Sequence, residues 1–247
     1  MEVNQEKVLV TGASGYIALH CIKELLEKGY QVKGSLRNLN REHEVRQSLG
    51  MAIENKKLEF CKLNLLENEG WEDAASDCDY LMHIASPCFI KEPKNEKQLI
   101  EPALEGTLRA LKAAQKSNLK KVVLTSSMGA IAYGHKKKTC DHTDWTDISS
   151  DIGAYIKSKT IAEKAAWDFV NHQSNASLKM TTIHPGMVFG PLLSHDIEGI
   201  SASLITKMMT GKFPALPNIY FTVVDVRDVA KLHVQSLKNK ASDHKRI

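Results

Sequence analysis

The stretch that most constrains the fold is Lys7–Leu19, where a short apolar run meets a glycine turn and then an amphipathic pattern. Val8–Val10 predicts a buried strand, and the residues that follow the turn predict a helix. Gly12 permits a tight turn, Gly15 lets an anion approach the main chain, and Ala18 lets the helix pack closely on its strand. A strand, a glycine turn and a helix N-terminus in this order form an anion site. The spacing G-x2-G-x2-A therefore predicts a phosphate cradle.

Apolar runs and amphipathic patterns alternate along most of the 247 residues. Strands are predicted at 7–11, 31–36, 57–62, 79–84, 120–125, 178–184 and 221–226. Helices are predicted at 15–28, 41–50, 67–76, 98–117, 153–172, 200–210 and 227–238. This alternation indicates βαβ units around a parallel sheet. The predicted fold is an α/β, Rossmann-type doubly wound parallel sheet.

The pattern loosens after residue 184, where glycines and prolines become frequent. We expect 1–184 to form the dinucleotide-binding domain and 185–247 to form a small, incomplete substrate lobe. Within that lobe, 220–238 is expected to return to the main domain. No further element is indicated between 238 and the last residue.

The composition and charge of the chain limit the classes of function that it can have. The net charge of +4 is too small to indicate nucleic-acid binding by itself, and Lys136–Lys138 is interpreted as a solvated loop. No apolar run is long enough for a membrane span, and no signal-peptide pattern is present. Five scattered cysteines without a C-x-x-C pair favour reduced thiols in a cytoplasmic protein, and the ten histidines show no metal-ligand spacing. Trp145 is interpreted either as part of a pocket mouth or as a loop anchor.

Arg37 follows the second predicted strand, at the place where NAD-binding Rossmann folds carry an acidic residue. A guanidinium there suits a 2′-phosphate through paired charged hydrogen bonds, and Arg41 follows shortly after. The alternative is an ordinary surface arginine. The absence of an acid at this position favours NADP over NAD.

Two further features converge at the carboxyl edge of the predicted sheet. Tyr155 and Lys159 are four residues apart in a predicted helix, so they share one face. A nearby positive charge favours the phenolate and brings a tyrosine into the range of acid–base catalysis. Ser126 and Ser127 end a predicted strand, where a hydroxyl can bond a carbonyl. Each feature alone is weak, but their order after a glycine loop is specific.

This combination resembles the extended short-chain dehydrogenase/reductase superfamily. The narrower resemblance is to the branch of dihydroflavonol reductases, cinnamoyl-CoA reductases and fungal methylglyoxal or aldehyde reductases. The motifs that carry it are Thr11–Ala18, His83–Pro87, Leu124–Ser127, Ala154–Trp167, His184–Pro191 and Asp225–Ala230. The resemblance covers essentially the whole chain.

The resemblance implies roles for individual residues. Tyr155 would be the catalytic acid, Lys159 would lower its pKa and bind the nicotinamide ribose, and Ser127 would hold the carbonyl, with Ser126 as the alternative. The implied cofactor contacts are Gly12, Ser14, Gly15, Tyr16, Ile17, Arg37, Asn64, Leu65, Ala85, Ser86, Thr125, Tyr155, Lys159, Pro185 and Val188. The substrate contacts are Phe89, Ser127, Met128 and Tyr155, although Phe89 and Met128 can also serve core packing.

Two departures from the family pattern qualify these expectations. The chain has Asn64-Leu65 where the family commonly has Asp-Leu near the adenine. Family members also continue beyond the position of Ile247, so the chain is either a fragment or has a reduced lobe.

The expected function is NADPH-dependent reduction of a small aldehyde or ketone by a monomer or homodimer. The alternatives are a nucleotide-sugar epimerase or dehydratase, and a catalytically weak NADP-binding regulatory protein. An epimerase or dehydratase usually places an acid or second base beside the tyrosine, and the sequence offers no clear candidate.

Overall fold

The structure is a computed structural model that describes residues 6–50, 56–87, 93–171, 178–194, 200–212 and 221–247. The strands are Lys7–Val10 (β1), Gln31–Leu36 (β2), Leu58–Lys62 (β3), Tyr80–His83 (β4), Lys121–Thr125 (β5), Lys179–Ile183 (β6), Met187–Phe189 (β7), Val223–Asp225 (β8) and Lys245–Arg246 (β9). The helices are Tyr16–Glu27 (α1), Glu42–Ser48 (α2), Trp71–Ala75 (α3), Lys97–Lys116 (α4), Ala154–Asn171 (α5), Ile200–Met209 (α6) and Val226–Lys238 (α7).

Seven strands form one sheet in the order β3-β2-β1-β4-β5-β6-β9. All of its neighbouring strands are parallel. The chain builds outward from β1 to β3 and then returns to place β4 on the other side of β1. Ligands of such sheets bind at the carboxyl edge, where this order reverses. The predicted α/β Rossmann-type fold is confirmed.

The two faces of the sheet are covered by different helices. Val8 and Val10 of β1 belong to a core shared with α1, α2 and α7, whereas Leu9 packs with α3, α4 and α5. This alternation is the period of two expected of a strand. Because both faces are covered, the central strands carry the apolar runs Val8–Val10, Tyr80–Met82 and Val122–Leu124, which is the pattern that identifies them in the sequence.

The C-terminal part contains two strands that the sequence did not reveal, β7 and β9. β7 pairs with β8, which lies within the predicted strand 221–226, in a separate two-stranded sheet. The last strand, Lys245–Arg246, pairs in parallel with β6 and becomes the seventh strand of the main sheet. The predicted elements end at 238, so β9 is an element that the sequence patterns do not indicate. Two charged residues are too short and too polar to produce a strand pattern. The division at residue 184 stays a prediction.

Within the described ranges, no α-helix combines the length and apolar character needed to cross a membrane. The same residues contain no group of three or more histidine, cysteine or acidic side chains placed to hold a metal ion.

Candidate active site

A cavity of about 990 Å³ lies at the carboxyl edge of the sheet. Its walls come from the segments that follow β1, β2, β3, β4, β5 and β6, and from the start of α5. It brings together all the predicted site residues that the structure describes: Gly12, Ser14, Gly15, Tyr16, Ile17, Arg37, Asn64, Leu65, Ala85, Ser86, Thr125, Ser127, Met128, Tyr155, Lys159, Pro185 and Val188. Phe89 lies outside the described residues.

The glycine turn shapes one half of this cavity. Gly12 has φ of +70°, and a Cβ atom there would lie 3.1 Å from the Cβ atom of Ala85. Its main-chain N–H donates to the Ser35 hydroxyl at 3.1 Å, which ties the turn to β2. Gly15 caps α1 without a side-chain hydrogen bond, and the first turn of α1 has no acidic residue. The free N–H groups of this helix end fit a pyrophosphate.

Cations surround the same half. Arg37 is exposed and lines the cavity. Arg41 donates to the Ser14 hydroxyl at 3.3 Å and forms an ion pair with Glu44 at 2.7 Å. Among the described residues that line the cavity, the charged side chains are Arg37, Arg41 and Lys159, all positive. The cavity therefore suits a ligand with several negative charges.

The two serines after β5 have different partners. The Ser126 hydroxyl is buried and donates to Oε2 of Glu163 at 2.5 Å. The Ser127 side chain is half-buried, and its oxygen accepts the Gly129 N–H at 3.0 Å. Because Ser127 accepts this bond, its own proton is available to a ligand, whereas the Ser126 proton is committed to a carboxylate.

Tyr155 and Lys159 occupy the first turns of α5, one turn apart on the side that faces the cavity. The Lys159 ammonium is buried and donates to the main-chain oxygen of Thr125 at 3.2 Å. The lysine is thereby fixed between α5 and the end of β5, with its positive charge on the same face as the tyrosine.

A buried neutral histidine, His83, contacts Thr11 at the start of the glycine turn. The Thr11 hydroxyl oxygen accepts the N–H groups of Ile84 and Ala85, both at 3.0 Å. Its proton therefore points to Nδ1 of His83, 3.0 Å away. Burial, assisted by the charge of Lys159, lowers the pKa of His83 to about 3, so the ring is neutral and can accept this proton. This contact fixes the segment after β4 against the glycine turn.

A second neutral histidine lies behind Thr125. Nδ1 of His233 is 2.8 Å from the main-chain oxygen of Val229, and Nε2 is 2.7 Å from the Thr125 hydroxyl. Burial lowers the pKa of His233 to about 4, so Nδ1 donates to Val229 and Nε2 accepts from Thr125. Helix α7 thereby braces the strand end to which Lys159 is bonded.

The remaining predicted contacts complete the walls. The Asn64 side chain donates to Glu67 at 2.7 Å and accepts the Leu66 N–H at 3.1 Å, so its amide stabilises its own loop. The Met128 N–H donates to the Pro185 main-chain oxygen at 3.0 Å. That bond joins the predicted substrate wall to the predicted nicotinamide wall.

Sequence reasoning missed three residues that build the site. Ser35 holds the glycine turn, Tyr133 lines the cavity, and Glu163 binds Ser126. Ser35 has a detectable signal, because it lies at the carboxyl end of β2, the strand beside β1 in the parallel sheet, one residue before the last. Glu163 has one as well, because it lies eight residues after Tyr155 on the same helix face. Trp145 packs 3.7 Å from the Arg246 guanidinium, as a loop anchor.

Comparison with known proteins places the chain in a family. Residues 8–247 match the model of the NAD dependent epimerase/dehydratase family, and the chain belongs to this family. It is 40% identical to cinnamoyl-CoA reductase CAD2 of Medicago truncatula, over 95% of this chain and 73% of that protein. It is 33% identical to dihydroflavonol 4-reductase of Arabidopsis thaliana, over 84% of this chain and 55% of that protein.

Solved structures agree with this placement. The yeast methylglyoxal/isovaleraldehyde reductase Gre2, crystallised with NADPH, superposes with a TM-score of 0.87 at 27% identity. The match covers 98% of this chain and 77% of that one. The resemblance to extended short-chain dehydrogenase/reductases, and to this branch of them, is confirmed.

Proposed function

We propose that this chain reduces a small aldehyde or ketone, with NADPH as the hydride donor and Tyr155 as the proton donor. The oxidoreductase class and the NADP cofactor agree with the named reductases to which the chain is similar. The observation that carries the proposal is the convergence of Ser127, Tyr155 and Lys159 with a glycine cradle in one cavity.

The residues present fit the cofactor. The turn from Gly12 to Gly15 would receive the pyrophosphate, because it lines the cavity at the N-terminus of α1, whose first turn has no acidic residue. Arg37 and Arg41 would hold the 2′-phosphate, and Lys159 would bind the nicotinamide ribose. NADPH, when bound, supplies the hydride to the carbonyl carbon.

The chain's own groups manage the carbonyl oxygen. Ser127 donates a hydrogen bond to it, since the serine oxygen is already occupied by the Gly129 N–H. Tyr155 transfers its phenolic proton to the same oxygen as negative charge develops there. The positive charge of Lys159, one turn away, stabilises the phenolate that remains.

The chemistry of the substrate follows from what the relatives have in common. Their names refer to cinnamoyl-CoA, dihydroflavonol, methylglyoxal and isovaleraldehyde, which differ in size but all offer a carbonyl-type carbon. The proposed partner is accordingly a small carbonyl compound rather than a nucleic acid or a membrane. The expected cytoplasmic location and the monomeric or homodimeric state stay predictions.

The epimerase or dehydratase alternative is less well supported. Such reactions usually need an acid or second base beside the tyrosine. The lining contributed by the described residues contains no aspartate, glutamate or histidine. The cavity suits a single proton donor with an external hydride donor.

The decisive variant is Tyr155→Phe, tested with NADPH and a panel of aldehydes and ketones by following nicotinamide absorbance. We expect kcat to fall about 10³-fold while the Kd for NADPH is unchanged, because the substitution removes only the phenolic hydroxyl that donates the proton. Tyr30→Phe is the matched control, since Tyr30 is buried before β2 and does not line the cavity. Unchanged turnover in Tyr155→Phe contradicts the mechanism. Tight NADPH binding by the wild type without any turnover favours the regulatory alternative.

A further inference from the structure

Glu163 joins several distant parts of the chain behind the site. It lies two turns after Tyr155 on α5 and its side chain is 1% exposed. Its Oε2 accepts the Ser126 hydroxyl at 2.5 Å, and its Oε1 accepts Nε of Arg246 at 2.8 Å. Nε2 of His184 lies 2.8 Å from both oxygens. One carboxylate thus binds the end of β5, the residue after β6, and β9.

The carboxylate is ionised and its negative charge is matched. Burial raises the pKa of Glu163, but hydrogen bonds and charge from His184 and Arg246 outweigh this effect and lower it to about 2. Nδ1 of His184 lies 2.9 Å from the main-chain oxygen of Ile247. The C-terminal strand is therefore attached to Glu163 both through the arginine and through the histidine.

Arg246 also reaches away from Glu163, to the loop that precedes α5. Its Nη1 donates to the main-chain oxygens of His142 at 2.8 Å and Asp144 at 2.6 Å. The guanidinium carbon lies 3.7 Å from the centre of the Trp145 ring, a cation–π contact. A planar group with several fixed donors can make all these contacts at once, whereas an ammonium cannot.

The next residue of this loop, Thr146, holds the wall after Ser127. Its hydroxyl donates to the Gly129 main-chain oxygen at 2.7 Å, and its N–H donates to that of Ala130 at 3.0 Å. The Tyr133 N–H donates to the Thr146 hydroxyl oxygen at 3.0 Å. Gly129 and Tyr133 line the cavity. The 142–146 loop is therefore bonded directly to the cavity wall that follows Ser127.

We infer that the Glu163–Arg246 ion pair positions the reacting half of the site, which is the part formed by Ser127, Tyr155 and the wall from 128 to 133. One route runs from Glu163 through Ser126 to the end of β5, and the other runs from Arg246 through the 142–146 loop to the 128–133 wall. Neither residue is among those that line the cavity, so both are positioning residues rather than catalytic ones. The expected kinetic effect rests on the proposed reductase function.

The test is Arg246→Lys, which keeps a positive charge beside Glu163 but loses the paired carbonyl contacts and the stacking on Trp145. We expect the KM for the carbonyl to rise about tenfold and kcat to fall about threefold, because the substrate wall is displaced. The Kd for NADPH should stay within about twofold, since the glycine cradle is untouched. Arg246→Gln, which also removes the charge, should have the larger effect.

Asp243→Asn is the matched control. Asp243 pairs with buried Lys121 at 2.8 Å and anchors the chain just before β9, at the amino end of β5 and away from the cavity. The Asp243→Asn variant should have a lower thermal stability than the wild type and an unchanged KM for the carbonyl. Hydrogen–deuterium exchange of 128–133 and 142–146 should increase in both Arg246 variants but not in Asp243→Asn.

The outcomes separate this inference from the proposed function. If Arg246→Lys matches Asp243→Asn in KM or in the exchange of 128–133, the positioning role is overturned. If the wild type reduces no carbonyl, the reductase function fails. Faster exchange of 128–133 in the Arg246 variants would still support the positioning role, and unchanged exchange would overturn it, because exchange needs no turnover.

Discussion

The two halves of the cavity are formed by different kinds of chemical group. The half at the glycine turn uses main-chain N–H groups of α1 and cationic side chains. The half at Ser127 and Tyr155 uses side chains whose positions depend on contacts with β9 and with the loop before α5. The first half is specified by a short contiguous motif, and the second is specified by residues far apart in the chain.

The buried groups behind the two halves also differ. A neutral histidine, His83, accepts from Thr11 behind the glycine turn. An ionised carboxylate, Glu163, accepts from Ser126 behind the reacting half. Buried charge makes stronger and more directional bonds but needs complete pairing. We therefore expect the reacting half to be more sensitive to distant substitutions than the cofactor half.

The strongest contrast that this comparison predicts is between the two neighbouring serines. Ser127→Ala should lower kcat about 100-fold, because it removes a hydrogen bond to the developing oxyanion. Ser126→Ala should lower it only about fivefold, because that hydroxyl orients the strand end through Glu163. Steady-state kinetics of both variants measures this difference, and equal losses would contradict the assignment of the carbonyl contact to Ser127.

The next largest effect concerns the glycine cradle. Gly12→Ala should weaken NADPH binding about 30-fold, equivalent to about 2 kcal/mol, as the new Cβ atom meets Ala85. Gly50→Ala is the control, because Gly50 also has a positive φ but no neighbouring atom within 4 Å. Both should lose about 1 kcal/mol of stability from backbone strain. Calorimetric titration with NADPH should show weakening in Gly12→Ala alone.

A smaller effect is expected for the 2′-phosphate contact. Arg37→Gln should raise the Kd for NADPH about tenfold, because one charged hydrogen-bond donor to the phosphate is lost. NADH lacks this phosphate and serves as the internal control, so its Kd should not change. A parallel loss for both cofactors would show that Arg37 stabilises the loop instead of reading the phosphate.

The prediction with the smallest effect concerns His233, the neutral histidine that is hydrogen-bonded to Thr125. The pKa of His233 is lowered to about 4 in the folded protein, from about 6.5 when unfolded. Between these values the unfolded chain binds more protons, so stability rises with pH across this window and is lost as pH falls. His233→Gln should reduce the slope of unfolding free energy by about 1 kcal/mol per pH unit. Urea unfolding at several pH values checks this, and an unchanged slope would contradict a neutral buried ring.

The predictable part of the fold is the part with strong local patterns. β1, β4 and β5 are identified by their apolar runs, and the alternation of strands with amphipathic helical patterns identifies β2, β3 and β6. The carboxyl ends of these parallel strands must meet at one edge. β9 was missed because two charged residues carry no such pattern, although pairing with β6 makes them part of the sheet.

The candidate site likewise has one part that short sequence motifs predict and one part that they do not. The glycine turn, Ser127 and the Tyr155–Lys159 pair follow from short motifs and lie in one cavity. The bond between Glu163 and Arg246 joins residues 83 positions apart. It depends on where β9 pairs, so only the folded chain reveals it.

The proposed reaction passes a hydride from NADPH to a carbonyl carbon in this cavity. The most direct measurement uses NADPH that carries deuterium at both C4 positions of the nicotinamide, with mass spectrometry of the product and of the cofactor. We expect an alcohol with one deuterium on the former carbonyl carbon, and one deuterium left on NADP⁺, for each NADPH oxidised. Turnover that leaves the product without deuterium, with both deuterium atoms retained on the cofactor, would contradict the reductase function and favour an epimerase-type reaction.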